Sequence, residues 1–349
     1  MAKAMRSAWI CFAIHFLVEF VCFASLAHVY NELNLWQSAI IAFFYDTFAF
    51  APQYLVGIIH EKYKEFDFNS FAVILMLIGL VLLDISFPLS MAGIVLIALG
   101  NMVLHDTCAI HTVKYSNGTL FPSAIFVGGG SFGLIIGQTI GGLDNFNKWF
   151  LIIPIYMIFS LSFLINKDFI KPSKYPKFDL VNRKMPLFVI LFSAFFITFI
   201  RSYIGYAIPI AWKKELWQAF VLFFLMGFGK MLGGFLADKF GAFLIGILSS
   251  VLCIPFLIAG ENNMIISCIG VFIFSMTMSI TFGMFLSIYN KNPGFAFGLT
   301  TIPLLLGAYP IFFIAIPKLV NIILIISMMI VCGTLFALTL KRKKEDINN

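Results

Sequence analysis

Twelve apolar stretches, each near the length needed to cross a lipid bilayer, follow one another from residue 8 to residue 340. A hydrocarbon core about 30 Å thick takes roughly 20 helical residues per crossing. Cut where charge, Asn or clustered Pro and Gly intervene, the stretches run near 8–30, 37–60, 70–86, 89–112, 121–143, 149–166, 186–209, 215–238, 241–259, 264–289, 293–316 and 318–340. In lipid each backbone polar group must find its partner within its own segment, so the stretches are helices. A water-soluble domain of 349 residues could not hide this surface, since 61% of the chain is hydrophobic and only 11% charged. The fold class is an all-α polytopic membrane protein with twelve transmembrane helices. The tightest connection is expected at the short turn from Asp84 to Pro88. Lys3 and Arg6 precede a first stretch too long for a signal peptide and without a small-residue cleavage site, so it is expected to stay as the first span.

A repeated loop divides the chain. Gly234-Phe235-Leu236-Ala237-Asp238-Lys239-Phe240-Gly241 closes the eighth span and opens the ninth, and Gly57-Ile58-Ile59-His60-Glu61-Lys62-Tyr63 does the same between the second and third. An offset of 177 residues carries Gly57 onto Gly234, Glu61 onto Asp238 and Lys62 onto Lys239. A repeat half a chain apart implies two homologous six-helix halves, residues 1–166 and 185–349, the second ending in a short basic tail. Residues 167–184 form the linker; counted from Asn166, it carries Pro172, Pro176 and six basic residues. Internal repeats of this kind are typical of secondary transporters.

The basic residues orient the spans. With the N-terminus in the cytoplasm, one face collects 17 Lys and Arg residues, and the other collects only Lys148, Lys213, Lys214 and Lys318. Arg201 and Lys230 are left inside spans. Both termini are therefore expected in the cytoplasm, of a cell inner membrane or plasma membrane. The net charge of +7 reflects topogenesis and contact with the lipid bilayer, not nucleic acid. That reasoning discounts the sequon Asn117-Gly118-Thr119, which falls on the cytoplasmic face, and makes Lys341-Arg342-Lys343-Lys344 a stop-transfer cluster, with a lipid headgroup site as the alternative. The six cysteines all fall in apolar spans, and no Cys/His spacing reads as a metal site. The 43 phenylalanines, beside abundant Ile, Lys and Asn, fit an AT-rich coding bias and a bacterial source.

Polar residues inside spans are costly, about 2.5–3.5 kcal/mol for a charge at mid-bilayer. At 1.5 Å per residue Glu19 lies roughly 16 Å along the first span, near the midplane, and Asp46 reaches a similar depth in the second. His15 and His105 each lie roughly 10 Å in from the cytoplasmic face. His15 and Glu19 are four residues apart, as are Asn101 and His105, while Asp46 and Gln53 are seven apart, so each pair shares a helix face. An imidazole titrates near 6.5 and a buried carboxylate moves up toward that range. The group can therefore exchange a proton at physiological pH. The alternative is that these residues hydrogen-bond neighbouring helices as packing glue. Asp106 adds a further acid on the fourth span. Arg201 and Lys230 place bases on the second half, suited to an anionic or zwitterionic substrate, although Lys230 could instead snorkel to the cytoplasm.

Gly129, Gly133, Gly137 and Gly141 line one face of the fifth span and fit close helix packing. Asn292-Pro293-Gly294 starts the eleventh, with Asn292 as N-cap and Pro293 in the first turn. Its positive dipole end should attract an acid.

The twelve spans, the long basic linker and the loop after spans 2 and 8 resemble the major facilitator superfamily, whose loop motif reads roughly Gly-x-x-x-Asp-Arg/Lys-x-Gly-Arg/Lys. Gly234, Asp238, Lys239 and Gly241 match it. The first copy departs, with Glu61 for the Asp and Lys64 where the second Gly belongs. Ala13-Ile14-His15 with Glu19, Leu99-Gly100-Asn101 through His105, and Phe126-Val127-Gly128-Gly129-Gly130-Ser131-Phe132-Gly133 look like the fosmidomycin-resistance-type branch. That likeness implies a proton-coupled exporter of drugs or metabolites. The superfamily resemblance also implies that Glu61 approaches the start of span 11. By symmetry, Asp238 would approach the start of span 5 near Phe121-Pro122, and the two contacts would latch the cytoplasmic side.

The reading is a secondary active transporter of a small organic solute, working by alternating access, proton-coupled, with export by antiport favoured over proton-coupled import of an organic anion. Its partners are that unidentified solute, protons and the bilayer; no cofactor or metal is implied, and a monomer is expected. A transport-inactive receptor or scaffold would give the converging ionisable residues no purpose. A membrane-embedded enzyme holding a metal through His15, Asp46, His105 and Asp106 lacks a tight ligand motif.

Overall fold

The structure, a computed structural model, describes residues 2–63, 65–167 and 175–343. Fourteen α-helices follow one another among these residues: α1 (Ala2–Tyr30), α2 (Leu35–Phe50), α3 (Gln53–Lys62), α4 (Phe68–Leu82), α5 (Phe87–Tyr115), α6 (Phe121–Gly141), α7 (Ile152–Lys167), α8 (Leu187–Ala207), α9 (Leu216–Phe240), α10 (Ala242–Ala259), α11 (Met264–Ser275), α12 (Met278–Ile288), α13 (Pro293–Phe313) and α14 (Lys318–Thr339). Lys64, Lys171, Pro172, Lys174 and Lys344, which entered the charge and linker arguments, lie outside the described residues.

Among the described residues, eleven segments are long and apolar enough to cross a membrane when α2 with α3, and α11 with α12, each count as one crossing. The fifteen residues of α4 make a shorter twelfth, about 22 Å long. The chain is a multi-pass membrane protein. Five of its helices begin at polar caps: Asn34 and Glu215 close capping boxes with Gln37 and Gln218, and Asp67, Asn263 and Asn292 accept backbone N–H groups of α4, α11 and α13. Large apolar side chains such as Ile74, Ile78 and Val81 on α4, or Phe188 and Phe192 on α8, stay exposed at helical spacing and face lipid.

Three segments differ from the sequence expectation. The second span breaks at Ala51-Pro52, because Pro52 offers no N–H to the preceding turn and its ring crowds it. The tenth breaks at Met276-Thr277, where Ser275 and Thr277 hydroxyls donate back to the carbonyls of Val271 and Phe274 at 2.7 and 3.0 Å and compete with the ladder. The third ends at Leu82, not near residue 86. Leu83 is extended and Asp84 takes a left-handed φ of 68°. That strained turn is pinned from several sides. The Asp84 N–H donates to Ser90 Oγ at 3.1 Å, and the Asp84 carboxylate meets His28 Nε2 at 3.1 Å and Lys148 Nζ at 3.2 Å.

The core runs through α6, most of whose residues are buried, whereas α14 is mostly exposed and peripheral. The glycine stripe explains this. A methyl group on Gly129, Gly133, Gly137 or Gly141 would strike the backbone carbonyl of Phe12, Phe16, Phe20 or Ala24 respectively, so α1 and α6 lie backbone to backbone in parallel over four successive turns. On its other side α6 meets α9, and α13 packs against α2, α3 and α5 as well as α8 and α12. The ends of the described chain share one face of the bundle. Lys3 Nζ lies 4.5 Å from the centre of the Tyr115 ring, and the Asn182 N–H donates to the Thr339 carbonyl at 2.8 Å beside a Val181–Leu340 bridge.

Candidate functional site

The close packing of α1 on α6 brings buried ionisable groups to the same depth as α5. His15 Nδ1 lies 2.8 Å from the Phe126 carbonyl, which can only accept, so the proton sits on Nδ1 and the Nε2 lone pair faces inward. Nε2 of His15 is 3.7 Å from Glu19 Oε1, and Nε2 of His105 is 3.1 Å from the same oxygen. The two imidazoles stand edge to face with centroids 4.3 Å apart. Gly130 makes room for this arrangement, since a methyl group there would overlap the His15 ring. Asn101 Nδ2 donates to Glu19 Oε1 at 3.4 Å and to Tyr45 Oη at 2.8 Å. All five side chains are buried. The donor atoms of His15, Glu19 and His105 lie within 4.8 Å of one another, close enough that the same set could also hold a metal ion.

Asp46 is not part of this contact set. It is half-buried on α2 and makes no hydrogen bond among the described residues, and its neighbour Tyr45, 2% exposed, points inward in its place. Successive helical residues point about 100° apart, so only one of the pair can face Glu19. Asp46 and Gln53 do not share a helix face either, because the break at Pro52 separates them. Gln53 is buried at that break and donates to the Ala49 carbonyl at 2.9 Å.

A second group lies toward the end of the bundle that holds the termini. Asp238 Oδ1 and Oδ2 accept the N–H groups of Leu120 and Phe121, each at 2.8 Å, where α6 starts without a side-chain cap. Gly234 sits against Ala124 and Phe121, and Gly241 takes a φ of 96° that favours glycine. The Lys239 carbonyl accepts Lys343 Nζ at 2.7 Å. In the first copy, Gly57 lies directly on the Gly294-Phe295 backbone at the start of α13, and Lys62 Nζ stays beside its neighbour Tyr63, 5.3 Å from the ring centre.

Asp106 sits at the start of α13, where the resemblance implied Glu61. Asp106 is wholly buried beside Gly294, with His60 Nδ1 3.9 Å away and neither carboxylate oxygen hydrogen-bonded among the described residues. Glu61 Oε1 accepts the Tyr175 hydroxyl at 2.9 Å. Burial and the Glu61 carboxylate push the Tyr175 phenol up, which keeps it a donor. The physical reason lies in the donors available. Each helix has a proline in its first turn, but the N–H just before it differs: that of Phe121 is free for Asp238, whereas that of Asn292 already donates to the Tyr289 carbonyl at 3.0 Å, so α13 offers an acid fewer free groups than α6 does.

The bases of the second half reach inward. Lys230 Nζ donates to Ser131 Oγ on α6 at 2.8 Å instead of snorkelling out, and the buried Arg201 donates through Nη1 to Thr281 Oγ1 at 3.3 Å. Arg201 borders a cavity of about 20 Å³ between α6, α8, α12 and α13.

Neither a protein-family model nor a curated protein matches this sequence. Solved structures do match by shape. The E. coli fucose:proton symporter FucP superposes with a TM-score of 0.63 at 14% identity, covering 96% of this chain and 98% of that one. A second structure, of the major facilitator superfamily transporter FucP in the outward conformation, gives 0.59 at 16% identity over 95% and 98%. The fold is that of the major facilitator transporters. At such low identity the likeness speaks for architecture, and the chemistry rests on this chain's own residues.

Proposed function

We propose that the chain is a secondary active transporter that moves a small organic solute across a membrane by alternating access, with transport coupled to protons at His15, Glu19 and His105. The observation that carries this reading is that buried triad inside a major facilitator fold. Three ionisable side chains at mid-depth are costly to insert. Two of them share one carboxylate oxygen, so a proton arriving on either imidazole gains the Glu19 charge as its partner. Asn101 and Tyr45 orient that carboxylate.

The two halves, residues 1–166 and 185–349, rock about the site in this reading, joined by the cytoplasmic linker 167–184. The Asp238 contact with α6 and the Gly57 contact with α13 hold the termini side shut. The 17-to-4 distribution of basic residues supports cytoplasmic termini, and reporters fused at Asn349 and after Lys167 should both read cytoplasmic. Export by antiport rested on a branch resemblance that the solved neighbours do not support; one of them is a symporter, so proton-coupled uptake fits them no less well.

The test is reconstitution of the purified protein in proteoliposomes with an imposed pH gradient and a solute library. Solute-dependent proton movement that Glu19→Gln removes is the expected result. Proton movement that no solute changes, or solute flux indifferent to both the gradient and Glu19→Gln, would sink the coupling.

A further inference from the structure

The cavity beside Arg201 contains buried polar groups that the proton reading does not use. Three hydroxyls around it are already satisfied within their own helices: Thr198, Thr281 and Thr300 donate to the carbonyls of Ala194, Met278 and Phe297. Ser123 on α6 and Ser279 on α12 are not. Both are at least 97% buried and their Oγ atoms have no hydrogen-bond partner among the described residues. Arg201 is 8% exposed, and its Nε is likewise unpartnered. A guanidinium has five N–H donors in a planar fork, and the Thr281 contact uses only Nη1. Among the described residues no carboxylate lies within ion-pair distance of it. A buried cation and two orphaned hydroxyls at one cavity leave donors with nothing to accept them.

We propose that this cavity is the subsite for the carboxylate headgroup of the transported solute, held by the Arg201 fork with Ser123 and Ser279 as additional donors. The inference rests on the transport reading and names its substrate class. Three features select a carboxylate. The fork matches a planar two-oxygen acceptor bidentately. A space of about 20 Å³, little more than one water fills, leaves room only for the smallest headgroup unless the helices part. Apart from the back-bonded threonines the rest of the wall is apolar, with Phe282 and Phe297 in contact at a centroid distance of 5.3 Å, so the solute body is apolar or aromatic. Ser123 comes from α6, whereas Arg201, Ser279 and Phe297 come from helices of the second half. A bound carboxylate therefore bridges the surfaces that must separate and close in alternating access. Phe297 also stands 6.5 Å from the His105 ring and 5.8 Å from Phe126, which forms the wall of the proton triad. Filling the cavity would press on that ring, and through it on the triad.

The experiment is titration calorimetry with thermal unfolding on the purified full-length protein, using benzoate, its neutral counterpart benzamide, short aliphatic lactate, and inorganic phosphate. Saturable binding is expected for benzoate or lactate and not for benzamide or phosphate. Arg201→Gln should weaken it at least 10-fold and Ser123→Ala or Ser279→Ala by about 2- to 10-fold, in line with charged and neutral hydrogen bonds. Arg201→Lys, which keeps the charge and loses the fork, serves if Arg201→Gln does not fold. Equal binding of benzamide, phosphate binding that matches benzoate, unchanged affinity in the Arg201 variants, or no saturable response to either carboxylate overturns the subsite. Proton-coupled flux of a neutral solute that ignores Arg201→Gln would remove the subsite and leave the transport reading standing. Carboxylate binding that depends on Arg201, without flux under any gradient, would do the reverse.

Discussion

His105 Nε2 lies 3.1 Å from Glu19 Oε1, across the junction of α5 with α1. Asn101, one turn before His105, reaches the same oxygen, so a single carboxylate joins the two helices. A proton added to or removed from this pair changes the force between them.

That geometry makes Glu19→Gln an uncoupling substitution. The amide keeps the shape and the Asn101 contact but cannot carry the charge that stabilises an imidazolium. Gradient-driven accumulation in proteoliposomes should be lost while solute exchange at equal pH continues, because exchange needs no net protonation change. Tyr45→Phe should have a milder effect, since it removes only the second Asn101 contact. Asp46→Asn should leave accumulation closer to wild type than Glu19→Gln does, because Asp46 stands outside the contact set. Wild-type accumulation by Glu19→Gln would remove the triad from coupling.

The glycine stripe gives a stability prediction with an internal control. In Gly133→Ala the methyl would meet the Phe16 backbone and lie 3.1 Å from Glu19 Cβ. Separating α1 from α6 should cost about 1–3 kcal/mol, the usual range for overpacking, and lower the unfolding temperature in detergent. Gly205→Ala, with nothing within 4 Å of the added methyl, should be neutral or stabilise α8 by up to about 1 kcal/mol through helix propensity. Equal effects of the two variants would mean that the contact between α1 and α6 is not tight.

The spans were legible because apolar length alone dictates them. The break at Pro52 is visible in the sequence to anyone who weighs one proline against a long apolar run, whereas the break at Thr277 depends on two hydroxyls bonding backwards and carries little sequence signal. His15, Glu19, Asn101 and His105 were legible from i,i+4 spacing. Tyr45 was not, because a tyrosine beside an aspartate in an apolar span looks like the less polar of the two. Ser123 and Ser279 were missed for a related reason. A serine costs little in lipid, and only the absence of a backbone acceptor for its hydroxyl distinguishes it from the back-bonded threonines nearby. The seat of Asp106 at the start of α13 was not legible either, because whether that helix start has an N–H to spare depends on the Asn292 N–H turning back to the Tyr289 carbonyl.

The same accounting of donors predicts an unequal latch. From the repeat alone, Glu61→Gln and Asp238→Asn should be equivalent. In the structure Asp238 accepts two backbone N–H groups at once, and an asparagine would keep one of these bonds while turning its own amide N–H group against the other donor. Glu61→Gln retains an oxygen for the Tyr175 hydroxyl, so that contact survives the substitution. A charge-assisted hydrogen bond contributes about 1.5–3 kcal/mol, so Asp238→Asn should raise the fraction open at the termini side by 10-fold or more and Glu61→Gln by much less. The probe is a cysteine at Ala124, which packs under Gly234 and is 1% exposed, in a background where the six native buried cysteines are replaced. Maleimide labelling from the termini side should accelerate strongly in Asp238→Asn and hardly in Glu61→Gln. Equal acceleration in both would restore the symmetric latch. No change in either would reduce the Asp238 contact to a helix cap, without a part in closing that side.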